Sequence, residues 1–286
     1  KPQKALHMYV ESDKKKPKYI DHKYAIFQKY DGWYGYLEAG NIYSRAGRLI
    51  PSLAHLDMPH LGSTRLIFEI LVNNVPDFHI LNGILNRKER CNAAHFKVHD
   101  MVAPDDTRTF RERFSDLHAL FVRNPNYTHN HELQLAMPLG YSSSSKLWQR
   151  AAEKVWSMDG EGVILKRVDA LYSAGKRNHD LMKIKEEVTA ELLVTGLAQG
   201  KSGGKYAGTL GTLICRDKAG REHNVSGMTD AQRDEWFKAP KSTATTPHPI
   251  LGQVIEIKAM KKLKDGSYRE PRFKAIRFDK DRTEID

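Results

Sequence analysis

Cysteine is almost missing from this chain: its 286 residues hold two, Cys91 and Cys215, far apart and without C-x-x-C spacing. That excludes a disulfide framework or a zinc ribbon, and both read as ordinary reduced thiols. Any apolar run long enough to span a bilayer is also lacking, as is a charged-then-apolar leader, so a soluble intracellular protein without a membrane partner is expected. Neither a G-x-x-x-x-G-K-[ST] loop nor a G-x-G-x-x-G opening a helix is present, which removes P-loop and Rossmann chemistry. Thirteen histidines invite a metal reading, yet only His129 and His131 stand close together, in a loop-like segment, so structural zinc has little support. Acid is the scarcer charge. The 46 Lys and Arg oppose 35 Asp and Glu, and a net +11 suits a polyanionic partner better than a neutral metabolite.

The length allows two medium domains. Residues 24–30 have the content of a strand, closed by an Asp31-Gly32 turn, and Lys29 shares a face with Ala25 and Phe27. Residues 34–38 and 42–45 read as a hairpin around Gly40-Asn41. Residues 66–72 form the next strand, with Glu69 on the face opposite Leu66, Phe68 and Ile70, and 96–102 another, with His99 and Asp100 mid-run. Phe110, Phe114, Leu117 and Phe121 recur at helical intervals, as do Leu147, Ala151 and Val155 beside Trp148 and Trp156. An acidic turn at Asp159 to Glu161 feeds a strand carrying Lys166, and 181–185 sets Leu181, Lys183 and Lys185 on one face. Lys14, Lys15, Lys16 and Lys18 make a basic arm, solvated or grazing phosphate. Beyond Glu187 the texture changes to short strands and glycine turns, as in a small β-barrel, with a short helix capped at Thr229 and Gln232. The boundary is therefore set between 1–187 and 188–286.

Lys29, Glu69, Lys166 and the pair Lys183 and Lys185 each put charge on an otherwise apolar strand, which implies a polar cleft between sheets. Several lysines with two glutamates, Glu69 and Glu161, suit a nucleoside triphosphate with Mg²⁺ or Mn²⁺.

In their order along the chain these residues resemble the covalent nucleotidyltransferases, and within them the compact phage and viral ATP-dependent DNA ligases. Lys29-Tyr30-Asp31-Gly32 resembles the K-x-D-G motif, preceded by Gln28. Ser44-Arg45 is similar to the second motif, and Glu69 and the segment ending in His99-Asp100 to the ribose and adenine contacts. Glu161 to Lys166 resembles E-G-x-x-x-K, Lys183 and Lys185 resemble K-x-K, and Arg269 to Lys280, with Arg277, the closing motif. Tyr34 stands where the family usually has arginine, and His99 where it has phenylalanine or tyrosine.

The resemblance implies an α+β protein: a nucleotidyltransferase domain of antiparallel sheets with flanking helices, then an OB-fold barrel. It implies that Lys29 accepts AMP from ATP, that Lys183 and Lys185 serve the α-phosphate and lower the pKa of Lys29, and that Gln28, Tyr34, Arg45, Glu69, His99 and Lys166 contact the nucleotide or nick. It further implies that Arg269, Arg277 and Lys280 face pyrophosphate and that Glu161 and Glu69 hold metal. A monomer sealing nicked double-stranded DNA in repair and replication is the expected protein. An RNA ligase or a GTP-using mRNA capping enzyme shares the lysine motif, and a binding module with an inactive nucleotidyltransferase domain is the non-enzymatic alternative.

Overall fold

The computed structural model describes residues 2–8, 22–75, 78–240, 248–263 and 265–286. The basic arm at 14–18 and most of the loop read at 243–249 lie outside them. No helix among the described residues is long and apolar enough to cross a membrane. The chain divides into two compact units, Lys1–Lys185 and Glu186–Asp286.

In the first unit the strands are β1 (Lys4–His7), β2 (Tyr24–Gln28), β3 (Trp33–Glu38), β4 (Asn41–Ser44), β5 (Arg65–Val72), β6 (Ala94–Val102), β7 (Leu133–Leu135), β8 (Gly140–Ser142), β9 (Gly162–Arg167) and β10 (Arg177–Lys185). The helices are α1 (Phe78–Leu85), α2 (Phe110–Arg123), α3 (Asn126–His131) and α4 (Ser145–Trp156). Two five-stranded sheets form, ordered β1-β10-β9-β2-β8 and β4-β3-β5-β6-β7. The sheets are not purely antiparallel, since β1 joins β10 and β7 joins β6 in parallel at their edges.

Alternation decides which side chains meet. In the first sheet Tyr24, Ile26, Val163, Leu165, Met182 and Ile184 all point one way and bury against Trp148, Ala152 and Val155 of α4. Leu147 is exposed, so the buried stripe of α4 is one position round from that read in the sequence. The bulk of Trp148 accounts for the difference: it fills the core and its Nε1 donates to the Ser142 carbonyl at 3.0 Å. The other face of the same strands carries Ala25, Phe27, Ile164 and the lysines. There α2 supports it, with Phe27 against Phe110 and Phe114 at 5.9 and 5.5 Å between ring centroids. Helix α2 begins in a full capping box, Thr109 and Glu112 satisfying each other's backbone N–H, an arrangement worth about 1 kcal/mol. The turn between β3 and β4 is Ala39-Gly40, both left-handed with φ of 47° and 76°, one residue earlier than Gly40-Asn41.

The second unit is a five-stranded sheet ordered β13-β12-β11-β14-β17, with a two-stranded pair β15-β16. Its elements are β11 (Val188–Gln199), β12 (Leu210–Arg216), β13 (Glu222–Val225), α5 (Asp230–Lys238), β14 (Val254–Ala259), β15 (Lys261–Lys262), β16 (Tyr268–Arg269) and β17 (Arg272–Ile276). Leu192, Val194, Leu213, Cys215, Val225, Ile255 and Ile257 form its core, and α5, capped by Thr229 and Gln232, adds Trp236. Cys91 and Cys215 are buried free thiols.

Candidate active site

The cleft face of the first sheet places Lys29 by register. Lys29 N donates to the Gly162 carbonyl at 2.8 Å, and Gly162 pairs with Lys185 on its other side. The two lysines therefore flank a residue without a side chain. Gly162 has φ of 139°, and a Cβ there would sit 2.1 Å from the Ile184 carbonyl oxygen, so the position accepts glycine alone. Glu161, one residue earlier, reaches into the gap: its Oε2 accepts from Lys29 Nζ and its Oε1 pairs with Lys185 Nζ. Its carboxylate is 8 % exposed, against 21 % and 18 % for the two lysine side chains, so the triad opens to solvent through the lysines. Trp156 Nε1, donating to the Glu161 carbonyl at 3.3 Å, fixes its backbone. One register step deeper, Lys183 lies beside Ile164. Burial first, then Lys185 and Lys29, hold its amine below the ordinary lysine value.

The second sheet supplies the facing wall. Gly32 lets the Asp31-Gly32 turn lie against β5, because a Cβ there would meet the Ile70 carbonyl oxygen at 2.7 Å. Tyr34 of β3 pairs with Glu69 of β5. Burial pushes the Glu69 carboxyl up to about 7, with Glu161 and Asp31 adding to it and Lys29 and Arg45 opposing. Tyr34 is not poised toward solvent. Its ring lies under the Arg45 guanidinium at 4.8 Å, and its hydroxyl bonds Tyr172, so burial and that bond drive its pKa well above the usual phenol value.

Between Ile67 and Phe68 the β5–β6 ladder slips, so that Ile67 faces Asp100 and Phe68 faces Val98. His99 is the extra residue, and such a bulge re-aims side chains. His99 and Asp100 both line the cleft. Lys166 reaches across from β9 and donates to the His99 carbonyl and His99 Nδ1, both at 2.8 Å, with Asp100 Oδ2 at 3.5 Å. Arg113 of α2 completes the group with two bonds to Asp100, at 3.0 and 3.2 Å. Burial lowers the Lys166 amine to about 8 against the pull of Asp100, and burial with the Lys166 charge takes the His99 imidazole to about 3. Burial alone would raise Asp100, but Lys166 and Arg113 outweigh it and keep the carboxylate ionised.

These groups enclose a cavity of about 300 Å³ whose lining includes Gln28, Lys29, Tyr34, Arg45, Glu69, His99, Lys166, Lys183 and Lys185. Every nucleotide-contact residue expected in the first unit thus gathers there, and Glu161 ties Lys29 to Lys185. Arg269, Arg277 and Lys280 belong to the second unit. There Arg277 is held by Glu191 and Asp279 at 2.6 and 2.7 Å, and Lys280 lies 3.4 Å from Glu191. Three members escape the sequence reading: Asp100 as a partner, Arg113 and Tyr172. Arg113 left a signal, a cation three residues from Phe110 and four from Leu117 on the apolar stripe of α2. Tyr172 left none.

Comparison with known proteins gives two matches in the order of the two units. A family model described as ATP dependent DNA ligase domain matches residues 63–185, and one described as DNA ligase OB-like domain matches 200–277. The chain therefore carries an ATP-dependent DNA ligase domain followed by a DNA ligase OB-like domain. Its fold is accordingly a nucleotidyltransferase-type ligase domain followed by an OB-like domain. A DNA ligase of Halobacterium salinarum is 31% identical over 157 residues, 48% of this chain and 28% of that relative. A probable DNA ligase of Koribacter versatilis is 28% identical over 172 residues, 53% and 29% respectively. The chain thus spans less than a third of the curated relatives it matches. In fold it is similar to a Lig E DNA ligase (TM-score 0.69, 21% identity, 96% of this chain and 99% of that one). It is also similar to the bacteriophage T7 ligase complexed with ATP (TM-score 0.56, 22% identity, 96% and 98%).

Proposed function

We propose that this chain is an ATP-dependent DNA ligase that seals 5′-phosphate/3′-hydroxyl nicks through a lysyl-AMP intermediate on Lys29. The observation that carries the reading is the position of Lys29 in the lining of a cavity that eight other lysines and arginines also line, with one Glu161 oxygen on its amine. The Lys29 nitrogen attacks the α-phosphorus of ATP. A P–N bond forms, the bond to the β-phosphate breaks, and pyrophosphate leaves. AMP then passes to the 5′-phosphate of the nick, and the 3′-hydroxyl displaces it to close the strand.

Lys183 and Lys185 face the phosphates and stabilise charge that develops there. His99 lies against the nucleobase as a neutral imidazole, oriented by Lys166. Glu69 stands by the ribose, and Arg45, braced on the Tyr34 ring, takes the nick phosphate. From the second unit, Arg269, Arg277 and Lys280 assist pyrophosphate departure once Arg277 and Lys280 leave Glu191.

Mg²⁺ commonly uses one or two carboxylates plus substrate phosphates; Glu161 and Glu69 would supply them, with Glu161 releasing the Lys29 or Lys185 amine and Glu69 ionised. Among the described residues no group of three or more His, Cys, Asp or Glu could form an all-protein site. The cation, when bound, neutralises phosphate charge and polarises the scissile bond.

Sealing of end-labelled nicked DNA with ATP tests the function. Joining of nicked RNA alone, or use of GTP alone, would replace it with the RNA ligase or capping reading. The brace on Arg45 has its own outcome. Tyr34→Phe keeps the ring and is expected to seal nicks at close to the parent rate, whereas Tyr34→Ala loses a cation–π contact of roughly 1 kcal/mol, about fivefold in nick-sealing kcat/KM. Equal rates for the two variants would show that the ring does not hold Arg45.

A further inference from the structure

Lys97, a cation beside the cleft, has no carboxylate in an ion pair with it among the described residues. Lys97 of β6 stands directly across from Glu69 of β5, which itself stands across from Tyr34 of β3. A row therefore runs over one sheet face: Arg45 above the Tyr34 ring, then Glu69, then Lys97, then Gln134 on β7. Lys97 Nζ donates to Gln134 Oε1 at 2.5 Å and lies 5.7 Å from the centre of the Tyr30 ring. Both partners are neutral. Among the described residues no carboxylate forms an ion pair with Lys97, and the cations that act on the Glu69 carboxyl are Lys29 and Arg45. Burial is the cause that lowers the Lys97 amine, with no carboxylate raising it in return. Two residues back on the same strand face, His95 Nδ1 is buried with no hydrogen-bond partner among the described residues.

A half-buried cation held in place by an amide and a ring, with its charge left over, is arranged for an anion that comes from outside. Which anion follows from position. The cavity lining includes Tyr30, Lys29 and Arg45 but stops short of Lys97. A nucleotide inside the cavity therefore has Lys29, Lys166, Lys183 and Lys185 for its phosphates, and Lys97 meets what lies over the rim. Two strand spacings, about 10 Å, separate the strands of Tyr34 and Lys97. Such a distance suits two phosphates of one nucleic-acid backbone better than two oxygens of one phosphate.

We propose that Lys97, braced by Gln134 and Tyr30, is a second backbone-phosphate contact for the nicked duplex, set across Glu69 from Arg45. This rests on the DNA ligase reading. Lys97 acts on affinity and register of the duplex and carries no base specificity.

Binding of a nicked duplex to Lys97→Gln, Lys97→Arg and the parent chain, measured across a salt series, tests it. One lost phosphate contact predicts that the slope of log affinity against log salt falls by about 1 in Lys97→Gln, with affinity roughly tenfold weaker near 0.1 M salt, and that Lys97→Arg keeps the parent slope. An unchanged slope in Lys97→Gln overturns the proposal. A raised KM for ATP in protein–AMP formation without a slope change also overturns it, by assigning the cation to the nucleotide. If Lys97→Arg behaves as Lys97→Gln does, Lys97 packs rather than binds. Failure of the ligase reading itself would look different: the parent chain would neither take up AMP nor bind the nicked duplex in a salt-dependent way.

Discussion

Lys29→Ala is expected to lower protein–AMP formation from ATP by more than about a thousandfold, because the nucleophile of the first step is gone and no neighbour can take its place. Lys183 and Lys185 are amines too, but Lys185 is tied to Glu161 and Lys183 sits a register step deeper, beside Ile164. The substitution should leave the fold intact. Lys29 is a fifth exposed, its backbone bond to Gly162 survives, and Glu161 keeps Lys185 as a partner. Gel mobility of radiolabelled protein after incubation with ATP reads the result. The same variant given a nick already carrying AMP on its 5′-phosphate should still close it, since that step needs the cleft but not the amine. Nick sealing by Lys29→Ala at the parent rate with ATP would remove Lys29 from the chemistry.

Asp100→Ala should have the largest effect on stability. Arg113 and Lys166 share this one carboxylate, and all three groups are buried. Removing one partner of a buried ion pair costs roughly 3–5 kcal/mol, because the charges left behind are neither solvated nor paired. Urea unfolding, followed for the transition of the first unit, measures the loss. The effect also has a pH signature. The Asp100 carboxyl is depressed in the folded state, so its stabilisation is present above the ordinary unfolded value near pH ~3.9 and is lost as pH falls through the lowered folded value. The gap between parent and variant should therefore be full at neutral pH and narrow in strong acid. A loss under about 1 kcal/mol at pH 7, or a gap independent of pH, would mean that Asp100 is not the counter-ion of this group.

Legibility in the sequence followed the range of the forces involved. Strand alternation is local, so the face that Lys29 shares with Ala25 and Phe27 and the one that Lys183 shares with Lys185 could be read directly, as could the cap at Thr229. What each lysine meets depends on register between distant strands. Glu161 reaches both Lys29 and Lys185 because Gly162 lies between them, a pairing that spans β2, β9 and β10. The partners of Lys166 depend on the slip in β6 that brings His99 and Asp100 to one side, and no local pattern announces that bulge. The face of α4 went one position wrong because 147-151-155 and 148-152-155 satisfy helical spacing equally. The bond from Trp148 to Ser142, outside the helix, separates them. Tyr34, where the family usually carries arginine, shows the same limit: its residue type gave a phenol, and its contacts made it a brace for Arg45.

The most direct test of the account is the mass of the intact chain after incubation with ATP and Mg²⁺, followed by mapping of the modified peptide. One added AMP, carried by the peptide containing Lys29 and absent when GTP replaces ATP, is the predicted result. AMP on the peptide containing Lys166 or Lys183, or an adduct formed from GTP alone, would contradict it.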